Sequence, residues 1–364
     1  MSLVEDERST GPGEAVPSLA RRAKPEIFKV TVVLTESSFA STSVGPIEIF
    51  HSAGTLWNQL HGDSEDPRFR VRIASVDGKP VGTLCALGLT PECSIADITE
   101  TDIIILPASG LDVQERIARE SAILPWLREW HARGARIAGV CTGVAFLAES
   151  GLLDGRRATT HWAVAGLLQA RYPQVVWRPD KFVTEDGQMF CSGGVYAAID
   201  LSLYLVEKLC GREIALRCAK SLLLSMPRSQ QSGYAVLPIS RPHSDARVRE
   251  IEEYLAAHMQ HDISADFLAE RAGMGTRSFI RRFAAATGHP PGEYLQSLRI
   301  AAAKELLEAG TGHVGTVSAK VGYTDVAFFR RIFKRHTGLT PSAYREQFTN
   351  MSFERGELVG GDGG

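Results

Sequence analysis

The chain has 364 residues, 44% of them hydrophobic and 23% charged, with a formal net charge of −2; that composition gives room for about two globular domains with ordinary cores and excludes a disordered or fibrous chain. A net charge near zero argues by itself against a nucleic-acid partner, but the charge is uneven: residues 241–348 carry 15 Lys and Arg against 12 Asp and Glu, net +3, and the remainder carries 25 against 30, net −5. The amino-terminal 24 residues lack the apolar core of a secretory signal, and no stretch approaches a membrane span.

The six cysteines, Cys85, Cys93, Cys141, Cys191, Cys210 and Cys218, form no Cys-x-x-Cys pair and no His/Cys metal spacing. They read as small buried residues in a reduced, cytoplasmic compartment, and neither a metal nor a cofactor is expected.

In chain order, residues 1–25 are polar and carry no fold. Ile27 to Thr35 is a β-branched strand, and Gly45-Pro46 opens an amphipathic segment to about Leu60 with Ile47, Phe50 and Leu56 inward. Strand signals return at Phe69 to Val76 and at Asp102 to Pro107, the latter a continuous apolar run suited to a buried parallel strand. Helical stretches at Gln114 to Arg119, Ala122 to Ala132, Ala145 to Ser150 and Ala163 to Arg171 fill the gaps. The alternation over residues 26–225 predicts an α/β domain, a flavodoxin-like parallel sheet sandwiched by helices.

Within it, Gly139-Val140-Cys141-Thr142-Gly143 follows an apolar strand and precedes a helix, the spacing of a nucleophile elbow with cysteine at its centre. The glycines would permit a strained turn, a helix amino terminus would lower the thiol pKa, and the Thr142 N–H would serve an oxyanion hole. His161 is the candidate base. The plainer alternative makes Cys141 the small residue that fits the turn and His161 a hydrogen-bonded polar residue beside Trp162.

Residues 226–243, rich in Pro, Ser and Gln, read as a linker. An all-α domain follows over 244–348, opening with a helix from Asp245 to Met259 that carries Val248, Ile251, Leu255 and Met259 inward, and residues 349–364 form a tail. Seven residues recur at an offset of fifty, from Phe279 and Phe329 to Tyr294 and Tyr344, so helix, tight turn and helix occur twice. The second copy puts Phe329, Ile332 and Phe333 on one face and Ala327, Arg330, Arg331 and Lys334 on the other, with Thr324 or Asp325 as cap and Thr337-Gly338 as the stop. Its first-copy counterpart, Thr276 to Ala286, carries Arg277, Ser278, Arg281 and Arg282. Between them Gly292 to Glu308 forms a helix about 25 Å long with Leu295, Leu298, Ala302 and Leu306 as its core stripe.

Residues 247–348, through Gly322-Tyr323, Phe329 to Lys334, Thr337-Gly338 and Thr340 to Arg345, resemble the DNA-binding domain of the AraC/XylS family of bacterial transcription regulators. The resemblance implies that two recognition helices enter successive major grooves, which recur every ~34 Å. Residues 27–224 resemble the PfpI-like domain of the class I glutamine amidotransferase-like superfamily, in the fusion found in regulators of the GlxA type. The carriers are Gly45 to Phe50, Gly139 to Gly143, Gly151 to Trp162 and Cys191 to Gly194.

That family's acidic partner of the cysteine falls here on Thr42, and no acid occurs from Ser37 to Val44; the usual Pro-Gly-Gly reads Pro107-Ala108-Ser109-Gly110. The resemblance therefore implies a vestigial Cys141 and His161 pair in a ligand-sensing pocket formed with Thr42, Glu48, Ser109, Gly110 and Thr142, taking a small, nitrogenous metabolite. It also implies a homodimer, double-stranded promoter DNA and, for an activator, RNA polymerase. A cysteine-dependent amidase or hydrolase fused to a DNA-binding domain, and a Cys141 redox sensor, remain open alternatives.

Overall fold

The computed structural model describes residues 27–224, 243–310 and 312–349. The expected tails, except Thr349, and the expected linker, except His243, lie outside the described residues.

The first domain runs β1 (Phe28–Val33), α1 (Ser41–Ser52), α2 (Leu56–His61), β2 (Phe69–Ser75), β3 (Val81–Gly82), β4 (Gly88–Leu89), β5 (Cys93–Ser94), β6 (Ile103–Leu106), α3 (Val113–Arg119), α4 (Ile123–Ala132), β7 (Arg136–Val140) and α5 (Val144–Glu149). It continues with β8 (Arg157–Ala158), α6 (Trp162–Arg171), β9 (Val176–Trp177), β10 (Val183–Asp186), β11 (Met189–Ser192), α7 (Ala197–Cys210) and α8 (Arg212–Ser221).

Seven strands form one sheet in the order β10-β11-β7-β6-β1-β2-β5, parallel at every pairing except β10 with β11. The apolar run of β6 explains how the sheet is covered on both faces. Ile104 and Leu106 point into a core built with α3, α4, α5 and α6, and Ile103 and Ile105 point into the opposite core, built with α1, α7 and α8.

The structure departs from the expected start of α1. Gly45-Pro46 lies inside the helix, which begins at Ser41, and Pro46 leaves the Thr42 carbonyl without an intrahelical donor. Ile49 and Phe50 are buried, whereas Ile47 and Leu56 are only half-buried. A turn at Gly54 (φ +85°), where a Cβ would meet the Asp66 carbonyl oxygen at 2.0 Å, ends α1 and redirects the chain into α2. The six cysteines are free, but Cys85 is exposed and Cys93 and Cys210 are half-buried, so only Cys141, Cys191 and Cys218 match the expectation of burial. Cys85 stands on the short β3–β4 hairpin, which has no hydrophobic period for a sequence reading to find.

The second domain runs α9 (Ala246–His258), α10 (Ala265–Arg271), α11 (Thr276–Thr287), α12 (Pro291–Glu308), α13 (Val314–Lys320), α14 (Val326–Thr337) and α15 (Pro341–Thr349). It has two cores. Val248, Ile251, Leu255, Leu268, Phe279 and Phe283 fill the first, and Val317, Val321, Tyr323, Phe329, Ile332 and Phe333 fill the second. α12 serves both, which corrects the expected single stripe: Tyr294 and Leu295 enter the first core and Ile300, Ala303 and Leu307 the second, leaving Leu298, Ala302 and Leu306 half-buried. No helix among the described residues is long and apolar enough to cross a membrane.

One buried charge sets a pH dependence. Glu120, at the end of α3, accepts the Glu36 N–H at 2.9 Å through one oxygen, and the other has no protein partner. Burial pushes this carboxyl up to about 7. A carboxyl raised on folding holds its proton longer in the folded state, so stability falls as pH rises from about 4.5 through about 7. Glu120→Gln is expected to gain about 1–3 kcal/mol at pH 8 and clearly less near pH 5, read by urea unfolding at the two pH values; equal effects at both would contradict the burial argument.

Candidate functional site

β7 delivers Cys141 to the carboxyl edge of the sheet between the ends of β6 and β11. The elbow forms, although the expected role of its glycines is corrected. Cys141 itself takes the left-handed backbone, φ +54°, while the glycines are required by close approach. A Cβ on Gly139 would lie 2.9 Å from Val144 Cα, and one on Gly143 would lie 2.2 Å from the Pro107 carbonyl oxygen. The Thr142 hydroxyl donates to the Ser109 carbonyl at 3.0 Å and the Thr160 hydroxyl to the Cys141 carbonyl at 2.8 Å, fastening the turn from both sides.

The thiol is not activated as the sequence suggests. Cys141 is 5% exposed, and burial pushes its pKa up to about 11 against the opposing pull of the Thr142 and His161 backbone N–H groups. Desolvation of a thiolate outweighs the short helix that follows. The His161 ring is turned to its own helix: its Nδ1 accepts the Ala163 N–H at 3.1 Å as the cap of α6, which leaves the ring proton on Nε2, and no hydrogen bond joins the ring to Cys141. Burial lowers its pKa.

Thr42 stands where the resemblance led us to expect an acid. It is fully buried, donates to the Phe39 carbonyl at 2.6 Å and accepts the Ala108 N–H at 3.1 Å, so it stitches α1 to the loop after β6. Glu48 is exposed on the outer side of α1, and Glu36 turns to the Gly82 N–H at 3.0 Å. Gly110 lies in the loop beyond Ser109, where a Cβ would meet only the Ser37 carbonyl oxygen at 3.7 Å.

Near the elbow stand three buried hydroxyls, of which the sequence singled out Ser109 for the pocket and missed Ser43 and Ser192. Ser192, paired in the sheet with Val140, Ser43 beside Thr42, and Ser109 each have a hydroxyl without a protein partner, and all three are at most 1% exposed. Ser109 follows β6 and Ser192 closes β11, the two neighbours of β7, while Ser43 lies on α1, whose Thr42 accepts the Ala108 N–H. Buried hydroxyls cost free energy unless satisfied, so this edge is suited to a small polar guest.

In the second domain α11 and α14 present matching outer faces. Arg277, Ser278, Arg281 and Arg282 are exposed on α11, and Ala327, Arg330, Arg331 and Lys334 on α14. The cores beneath repeat closely: Phe279–Phe283 and Phe329–Phe333 rings are both 5.6 Å apart at 54° and 56°, and Phe283–Tyr294 and Phe333–Tyr344 are both 5.3 Å apart at 85° and 84°. Asp325 is the cap of α14, accepting from Ala327 and Phe328 N–H at 2.8 and 3.1 Å. Arg282 is engaged by both oxygens of Asp245, at 2.7 and 3.0 Å. Phe328, 38% exposed with Arg331 over its ring at 5.5 Å, joins the α14 face; its place three residues before Arg331 was the available signal.

Two family models match: the DJ-1/PfpI family over residues 29–208 and a helix-turn-helix domain over residues 268–347. The HTH-type transcriptional regulator CdhR of Pseudomonas aeruginosa is 27% identical over 79% of this chain and 84% of its own length. The HTH-type transcriptional regulator GlxA of Rhizobium meliloti is 27% identical over 63% of this chain and 71% of its own, and the isonitrile hydratase of Pseudomonas putida is 35% identical over 41% and 63%. With its cysteine elbow on a parallel sheet and its duplicated helix-turn-helix, the chain carries an amino-terminal DJ-1/PfpI domain followed by an AraC-type helix-turn-helix domain.

Proposed function

We propose that the chain is a sequence-specific transcription regulator whose DJ-1/PfpI domain senses a small polar metabolite at the carboxyl edge of its sheet. The observation that carries this reading is a cysteine elbow without a charged partner, in one chain with two basic helix faces on matching cores. A buried, neutral thiol on a sheet edge that also carries unpartnered hydroxyls suits reversible binding better than turnover, because a hydrolase needs a base and a stabilised thiolate. The named regulators CdhR and GlxA support the same assignment. The hydratase is a relative of the first domain alone, and its likeness keeps an enzymatic reading in view.

On the DNA side, Arg277, Ser278, Arg281, Ala327, Arg330, Arg331 and Lys334 are the proposed contacts, with Arg able to bond a guanine edge or clamp a phosphate. Arg282 reaches DNA only by releasing Asp245, so its proposed role is support of α11. Paired chains holding promoter DNA, with the effector favouring one arrangement, complete the proposal; an activator would also meet RNA polymerase.

Arg331→Ala is expected to weaken binding to the cognate sequence by about 1–3 kcal/mol and relax specificity at one position. A uniform loss on all sequences with a shallower salt slope would make Arg331 a phosphate contact instead. Alkylation of Cys141 by iodoacetamide, followed on its own peptide by mass spectrometry, is expected to accelerate up to and beyond about pH 10. A midpoint below about pH 8 would instead support the enzymatic reading.

A further inference from the structure

The two helix-turn-helix units meet at a seam that their internal repeat does not explain. Arg299 stands on α12 where the helix passes from the first core, through Leu295, to the second, through Ile300. Its Nε donates to the Met259 carbonyl at 2.7 Å and its Nη2 to the His261 carbonyl at 2.8 Å, closing the carboxyl end of α9 in the first unit. Its guanidinium carbon lies 5.1 Å from the ring centre of Tyr323 in the second. A planar cation suits this place, because it meets the last carbonyls of a helix and an aromatic face together.

Gly322 makes the other contact. A Cβ there would fall 2.7 Å from the Gln260 carbonyl oxygen and 2.9 Å from Gln260 Cα. Gly273, its counterpart in the first unit, has the same left-handed backbone, φ +63° against +86°, yet an added Cβ would meet nothing within 4 Å. The turn alone therefore explains a glycine at both places. Only Gly322 is also needed for the second unit to rest on the first.

We propose that Arg299 and Gly322 are positioning residues that lock the two units into one reading head, so that the spacing between half-sites is a determinant of DNA specificity. This rests on the DNA-binding reading above. α12 holds the axis, but each unit grips it by a separate stripe, and a cleft of about 500 Å³ bordered by Arg299, Gly322 and Tyr323 lies between them. Without the guanidinium clamp the units are free to rock into that space.

Two measurements on the full chain test this. Spin labels carried by non-canonical amino acids in place of Ala285 and Lys334 report the distance between α11 and α14 without DNA. Duplexes selected from a random library by the unaltered chain are then lengthened by one base pair between the two contacted segments. A single narrow distance is expected, with at least about tenfold weaker binding after the insertion. Arg299→Ala should broaden the distance distribution and reduce the insertion penalty below about threefold at an unchanged salt slope. Arg299→Lys, which keeps the charge but loses the fork, should fall between. An unchanged narrow distance in Arg299→Ala, or an undiminished insertion penalty, would overturn the proposal. If the unaltered chain selects no DNA, the regulator reading fails, while the distance measurement still decides whether the seam is rigid.

Discussion

The approach of Gly143 to the Pro107 carbonyl oxygen, where a Cβ would stand at 2.2 Å, is the constraint around which the carboxyl edge of the first domain is arranged. It holds β7 and the elbow hard against the end of β6, brings the Thr142 hydroxyl to the Ser109 carbonyl, and forces the intervening Cys141 into a left-handed backbone. That geometry presents a side chain at the sheet edge. It does not supply the charge that would ionise the side chain, because Thr42 spends its hydroxyl on the Phe39 carbonyl and the Ala108 N–H and the His161 ring caps a helix. Shape and reactivity are thus separable here: the backbone geometry of a nucleophile elbow persists around a thiol that burial keeps neutral.

The second domain applies one packing solution twice. Each unit uses two Phe residues one turn apart on its outer helix and a Tyr from the helix that follows, in nearly the same ring geometry. The Thr287 and Thr337 hydroxyls close the helix ends in the same way, bonding the Phe283 and Phe333 carbonyls at 2.9 and 2.8 Å. What differs lies at the edges. Asp325 caps α14, whereas α11 begins without a side-chain cap at Gly275 and instead ties Arg282 to Asp245 at the start of α9. Asp245 is two residues from His243, the last residue of the expected linker, so this tie lies beside the point where the described second domain begins.

The continuous apolar run of β6 and the repeat from Phe279 to Tyr344 were legible because an unbroken apolar stretch and an offset of fifty are properties of sequence itself. The elbow was legible as a spacing. The behaviour of its thiol was not, since the balance between a helix amino terminus and desolvation depends on how deeply α5 and the neighbouring strands bury the sulfur. The same holds for α12, whose two stripes emerge only when both cores are known to share it, and for the hydroxyls of Ser43 and Ser192, which are far apart in the chain. Local patterns carry periodicity; convergence of distant residues on one edge is a tertiary property.

The central claim is that occupation of the sheet edge near Cys141 is linked to affinity for DNA. It is tested most directly by titrating the full chain onto its own upstream DNA at fixed salt, against scrambled competitor, with a panel of small nitrogen-bearing metabolites added in turn to the unaltered chain and to Cys141→Ser. The account expects one compound to shift specific binding, and the shift to survive in Cys141→Ser, since the proposal assigns the thiol no chemistry. Consumption of that compound, with the shift abolished in Cys141→Ser, would contradict it and make the first domain an enzyme.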